Sequence, residues 1–132
     1  MKYLLDTNTL IYAQKRQGQC LQRIEQHLPE SLVWSVVSVQ GLVYGMGKSA
    51  YPERMKDYLA ALKHLYTVLD FNTTCAERAG QLRAQLELQG TPIGPYDLQL
   101  AATALIHGLT VVSRNTREFT RVPGLLLEDW YE

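Results

Sequence analysis

Three observations predict an α/β fold with a central parallel sheet of four to five strands covered by helices on both faces. Short apolar, β-branched runs alternate with longer stretches at helical spacing. The runs are apolar almost without interruption, as expected of strands buried on both faces, and no hairpin turn signal separates any two of them. The 132 residues carry 46% apolar side chains and no linker or repeat, so one domain over residues 1–132 is expected.

The elements follow in order. Lys2 to Leu5 is an apolar run closed by Asp6 and reads as the first strand. Thr7 to Lys15 carries Leu10, Ile11 and Ala13 as a helix, and Cys20 to Leu28 repeats the pattern with Leu21, Ile24 and Leu28 before Pro29. Leu32 to Val37 reads as the second strand, and Ser38 is placed to open the next helix. A helix from Tyr51-Pro52 follows, with Met55, Tyr58, Leu59, Leu62 and Leu65 on one face. Thr67 to Phe71 reads as the third strand. Thr73 or Thr74 caps a long helix to Leu88, stopped by Gly90. Pro95 suits the first turn of another, which ends at Gly108. Leu109 to Val112 is the fourth strand, Thr116 to Phe119 a short helical turn, and Leu125 to Leu127 a fifth strand, with Trp130 packing the tail.

Composition excludes several classes. Thirteen basic and thirteen acidic residues cancel, so no global positive field recruits nucleic acid, and any RNA contact must be local. No apolar run reaches the roughly eighteen residues of a membrane span. An acidic residue at position 6 comes too early for a signal peptide. Cys20 and Cys75 lack metal-ligand spacing and read as reduced thiols in a cytoplasmic protein.

Sites in parallel α/β sheets form outside the carboxyl ends of the strands, near helix N-termini. Asp6 ends the first strand. Asp97 lies in the first turn of the helix begun by Pro95, and Asn115 and Glu118 follow the fourth strand. Convergent carboxylates from these points would form an oxygen-rich pocket for a hard cation such as Mg²⁺ or Mn²⁺. Taken singly, each has a plainer role. Asp6 can cap the first helix and Asp97 complements a helix dipole. Asn115 can be a turn residue, and Glu118 a solvated charge or a partner of Arg114 or Arg121. Gly41 is the anomaly. Counted from Ser38 as N-cap it fills the slot where a glutamate completes a capping box, and glycine there costs about 1 kcal/mol relative to alanine.

The text Leu4-Leu5-Asp6-Thr7-Asn8-Thr9-Leu10-Ile11 resembles the opening of PIN-domain ribonucleases, specifically the VapC-type toxins of bacterial toxin–antitoxin pairs. Pro92-Ile93-Gly94-Pro95-Tyr96-Asp97-Leu98 is similar to that family's third-acid motif. Val111-Val112-Ser113-Arg114-Asn115-Thr116-Arg117-Glu118-Phe119, with Glu128-Asp129-Trp130, looks like its C-terminal signature. The resemblance implies a PIN-like three-layer α/β/α fold and Mg²⁺- or Mn²⁺-dependent cleavage of RNA, with transfer RNA the favoured substrate. It also implies homodimerisation and neutralisation by a VapB-like antitoxin. Asp6 and Asp97 would correspond to metal-binding acids and Asn115 to a fourth polar position. Ser38, Leu42 and Gly45 keep the pattern Ser-x-x-Glu-Leu-x-x-Gly, but its glutamate is Gly41 here. This form is therefore expected to be catalytically impaired. Gln40 is no substitute, being about 100° around the helix and uncharged.

Two other readings compete. One is a PIN-fold binding module that sequesters antitoxin or RNA without cleaving it. The other, further behind, is a receiver-like domain with Asp6 as phosphoacceptor, for which Arg114 is a poor stand-in for the required lysine. Arg114, Arg117 and Arg121 are candidate RNA contacts, with Lys15, Arg16 and Arg23 a weaker cluster. His27, His64 and His107 are assigned surface or helix-end roles. Tyr12, Trp34, Tyr44 and Tyr58 are read as core or interface, and Met46, Met55 and Leu59 as part of a partner-facing patch.

Overall fold

A computed structural model describes residues 1–132. Its sheet contains β1 (Tyr3–Leu5), β2 (Leu32–Ser35), β3 (Thr67–Leu69), β4 (Thr110–Val112) and β5 (Leu126–Glu128), ordered β3-β2-β1-β4-β5 with every neighbouring pair parallel. The helices are α1 (Thr7–Lys15), α2 (Cys20–Glu25), α3 (Val36–Lys48), α4 (Pro52–Leu65), α5 (Thr73–Leu88), α6 (Pro95–His107) and α7 (Thr116–Phe119). From β1 the chain builds outward through β2 and β3, then returns to place β4 on the other side of β1. The order therefore reverses between β1 and β4, and at such a switch point the carboxyl ends of the strands open a crevice.

The period of two along each strand separates two buried layers. Leu4, Val33 and Val111 face α5 and α6, packing with Ala79, Leu82, Leu86, Leu100 and Ala101. Tyr3, Leu5, Leu32, Trp34 and Val112 face the opposite way, onto Leu10, Ala13, Ile24, Leu59, Leu62 and Trp130. Helix α3 contributes Val37 to the first layer and Leu42 to the second. Trp34 is fully buried, and its indole N–H donates to the Tyr66 carbonyl at 3.3 Å. Trp34→Ala is expected to cost about 3–5 kcal/mol through the cavity it leaves. A fall in the urea midpoint checks this, and an unchanged midpoint would show that the layer can collapse around the gap.

Several boundaries differ from expectation for identifiable reasons. Helix α3 starts at Val36, not at Ser38. Buried Ser35 is the N-cap, its Oγ accepting from the Val37 N–H at 3.0 Å. Ser38 lies inside the helix, fully buried, and accepts a hydrogen bond from the Thr7 hydroxyl at 2.9 Å. Gly41 is therefore a mid-helix residue, and the capping box is removed as an explanation for it. Helix α5 is capped by Asn72, whose Oδ1 takes the Cys75 N–H at 3.0 Å, rather than by Thr73 or Thr74. Helix α2 ends at Glu25, with a 3-10 turn over Pro29–Ser31, and β3 stops at Leu69. Cys20 and Cys75 are free and buried, and burial pushes the Cys20 thiol up to about 11. Leu59 is buried in the core rather than on a partner-facing patch. His27 is half-buried just past the end of α2, its Nδ1 2.7 Å from the Arg23 carbonyl. It stacks on Trp130 at 4.7 Å and meets Tyr3 edge-on at 4.8 Å, so its helix-end role holds and packing takes the place of a surface role. No helix is long and apolar enough to cross a membrane.

Candidate active site

Asp6 sits where β1 hands over to α1, and the local backbone explains its position. It is the N-cap of α1: Oδ1 accepts the Thr9 N–H at 2.8 Å, while its own N–H donates to the Val112 carbonyl at 3.1 Å. The capping role and the candidate catalytic role thus fall on one side chain. Burial pushes its carboxyl above the usual range, opposed by hydrogen bonds from Ser113 and Thr9. Ser113 is fully buried and also accepts the Asn115 N–H at 2.9 Å. One hydroxyl therefore ties the carboxylate after β1 to the turn after β4, across the point where the strand order reverses.

That turn carries the second half of the site. The Asn115 amide nitrogen donates to Asp97 Oδ2 at 2.8 Å and to Glu118 Oε2 at 2.9 Å. Asp97 reaches this position from the first turn of α6, opened by Pro95 at N1 with Gly94 as N-cap. Glu118 is thus half-buried and tied to Asn115 rather than to Arg114, while the charge of Arg121, the other partner expected for it, does reach it. The Asn115 amide holds the Glu118 carboxylate beside that of Asp97. Burial raises the Asp97 carboxyl to about 7, reinforced by Glu118, while the hydrogen bond from Asp97 draws Glu118 below its usual value. The only sequence signal for this pairing was that Glu118 lies one helical turn after Asn115.

Asp6, Asp97 and Gly41 line one cleft of about 760 Å³ at the carboxyl edge of the sheet. Thr7, Asn8 and Ile11 from α1, Val37, Gln40, Tyr44 and Gly45 from α3, and Tyr96 and Leu100 from α6 complete its walls. Gly41 lies against α1. A Cβ built on it would fall 2.8 Å from Thr7 Cγ2 and 3.2 Å from Thr7 Oγ1, closer than side chains ordinarily approach.

The arginines do not join the cleft. Arg114 is held over the Tyr131 ring, 3.6 Å from its centroid, with the Tyr12 ring 5.7 Å away. Arg121 donates to the Pro92 carbonyl at 2.7 Å, from where its charge reaches Glu118, and Arg117 is exposed. Tyr12 and Tyr58 are half-buried, as expected, but Tyr44 is 66% exposed on the cleft wall.

The oxygen donors of Asp6, Asp97, Glu118 and the Asn115 carbonyl are of the hard type that suits Mg²⁺ or Mn²⁺. Burial, with Glu118 adding to it, disfavours the charged form of Asp97, and a divalent ion beside it would favour that form. Nowhere, however, do three His, Cys, Asp or Glu side chains converge in a geometry that would hold a metal. The donors fit an ion held by two carboxylates and its own waters.

The pH behaviour follows with a definite sign. Asp97 holds its proton to about 7 when folded, against 3.8 ordinarily, so the native state binds more protons than the unfolded chain between those values. Stability of the metal-free protein is expected to fall as pH rises through that window and to level off above it. Melting temperatures in chelator at about pH 5 and about pH 8 check this, with Asp97→Asn expected to flatten the difference. An equal slope in Asp97→Asn would place the titration elsewhere.

Comparison with known proteins matches this arrangement. The PIN domain family model matches residues 3–125. The tRNA(fMet)-specific endonuclease VapC of Salmonella typhimurium is 38% identical over 130 residues, covering 98% of both chains. Ribonuclease VapC2 of Haemophilus influenzae is 42% identical over 135 residues, again covering 98% of both. A crystal structure of DNA-bound VapBC from Salmonella typhimurium superposes with a TM-score of 0.90 at 39% identity, covering 98% of each chain. A sheet with its crevice at the β1–β4 switch, acids at that crevice, and end-to-end similarity to named ribonucleases together place this chain in the PIN-domain family, among the VapC ribonucleases.

Proposed function

We propose that the chain is a metal-dependent endoribonuclease toxin of the VapC type, and that Gly41 leaves this form impaired. The observation that carries the reading is the meeting of Asp6 and Asp97 in one cleft beside Gly41, at the carboxyl edge of a parallel sheet. Asp6 and Asp97 would hold Mg²⁺ or Mn²⁺. When bound, such an ion neutralises the scissile phosphate and lowers the pKa of an attacking water. The chain's own residues do the rest. Ser113 and the Thr9 N–H fix the Asp6 carboxylate in direction. Asn115 holds Asp97 and Glu118 at a set separation, and a cation bound there would favour the charged form of the buried Asp97 carboxyl. A side chain at position 41 would supply a third carboxylate to orient the water. Its absence is the expected weak point.

Transfer RNA is the favoured substrate class, supported by the Salmonella relative named for tRNA(fMet). A VapB-like antitoxin is the proposed partner, supported by the VapBC complexes among similar structures, and a homodimer in the cytoplasm is the proposed state. One observation favours the binding-module reading instead, namely that no third metal-holding side chain joins the pair. Incubating the protein with total cellular RNA, with Mn²⁺ or with chelator, separates the two. Slow, cation-dependent cleavage supports the nuclease, and RNA binding with no cleavage at any cation concentration supports the binder.

A further inference from the structure

We infer that the half of the cleft beside Gly45 is a nucleobase subsite, which seats a base next to the phosphate that a cation at Asp6 and Asp97 would hold. This rests on the ribonuclease reading and deepens it. Gly45 carries no side chain and leaves the face of α3 bare there, so a flat ring can lie against the backbone, whereas Gly41, one turn earlier, is packed against Thr7. A Cβ at Gly45 would meet nothing within 4 Å, which makes the bare strip open space rather than packed interior.

Tyrosines stand on both sides of the strip. Tyr44 of α3 is 66% exposed and Tyr96 of α6 is 57% exposed, although both line a cleft with apolar residues at its base. Large aromatic rings left bare beside an apolar floor invite a planar partner, and stacking accepts any base because every base has a π face. Gln40 and Asn8 bring amides to the same walls, suited to the donor and acceptor edges of an unpaired base. Charge points to the same ligand. Lys48 Nζ donates to the Tyr44 hydroxyl at 3.0 Å and lies 5.1 Å from its ring centroid. A cation beside a stacking ring matches a nucleotide, with its base on the tyrosine and its phosphate on the lysine. In a chain with zero net charge, such a local cation is where RNA backbone contact has to come from.

The test uses a short single-stranded oligoribonucleotide and the same strand with one abasic position, titrated in chelator so that binding is read without cleavage. The intact strand is expected to bind more tightly. Tyr44→Leu is expected to weaken it by about 5- to 100-fold, the range for loss of one stacked base, while leaving the abasic strand nearly unchanged. Gly45→Leu fills the strip without touching the fold and is expected to abolish the difference between the strands. Lys48→Ala is expected to weaken both strands equally and reduce the salt slope by about 1. If both strands bind equally and Gly45→Leu affects neither, the subsite is overturned while the ribonuclease reading stands, and the groove is left to a protein segment. If neither strand binds even when Mn²⁺ replaces the chelator, the ribonuclease reading fails with it.

Discussion

Gly41→Glu is expected to tighten Mn²⁺ binding by at least about 10–100-fold, since even a residue that only supports a metal ligand has an effect of that size. The carboxylate would enter a cleft that already holds Asp6 and Asp97, and it would convert a two-acid site into a three-acid one. The substitution does not fit freely, because the new Cβ meets Thr7 Cγ2 at 2.8 Å. A gain of roughly 1 kcal/mol from replacing a helical glycine is opposed by about 1–3 kcal/mol of overpacking. The variant is therefore expected to be somewhat less stable than the parent while binding metal better. Adding Thr7→Ser removes the crowded methyl group and keeps the hydroxyl that donates to Ser38, so it should recover the lost stability. Calorimetric titration with Mn²⁺ and urea unfolding read the two effects separately. Equal Mn²⁺ affinity in parent and variant would contradict the three-acid account.

Asp6→Asn is expected to separate stability from function at a single atom. Asparagine caps a helix about as well as aspartate, so the bond from the Thr9 N–H survives. The replacement also removes a carboxylate whose charged form is disfavoured by burial. Stability is thus expected to hold or rise, while cleavage in the Gly41→Glu background falls by about 100-fold or more, beyond the range for supporting residues. Asp6→Ala differs because it also loses the cap, at about 1 kcal/mol. Thermal melts beside a cleavage assay make the comparison. If Asp6→Asn melts as low as Asp6→Ala and cleaves like the parent, Asp6 is a helix cap and nothing more.

The parallel sheet and both acids that line the cleft were legible in the residues, and the reasons are local. Strands such as Leu32 to Trp34 are apolar on both faces because two helical layers cover them, and Asp6 and Asp97 stand next to a strand end and a helix start. What could not be read depended on groups distant in sequence. Trp34-Ser-Val-Val-Ser38 is β-branched text, yet the chain turns helical at Val36 because buried Ser35 takes the Val37 N–H. Ser38 is committed to Thr7, thirty-one residues earlier. Arg114 has the spacing of a phosphate contact but is drawn onto Tyr131 in the C-terminal tail. Glu118 looks like surface charge until α6 brings Asp97 to the same Asn115 amide. Tyr44 has the helical register of a core residue, and only the opening of the cleft leaves it exposed.

In the proposed function, Asp6 and Asp97 form a ribonuclease site from which one acid is missing at position 41. The most direct test is single-turnover cleavage of one structured RNA by the parent and by Gly41→Glu at the same Mn²⁺ concentration, each with and without Asp6→Asn. Restored cleavage in Gly41→Glu that disappears again with Asp6→Asn is the result expected. Equal cleavage by the parent and Gly41→Glu, or cleavage that survives Asp6→Asn, would contradict it.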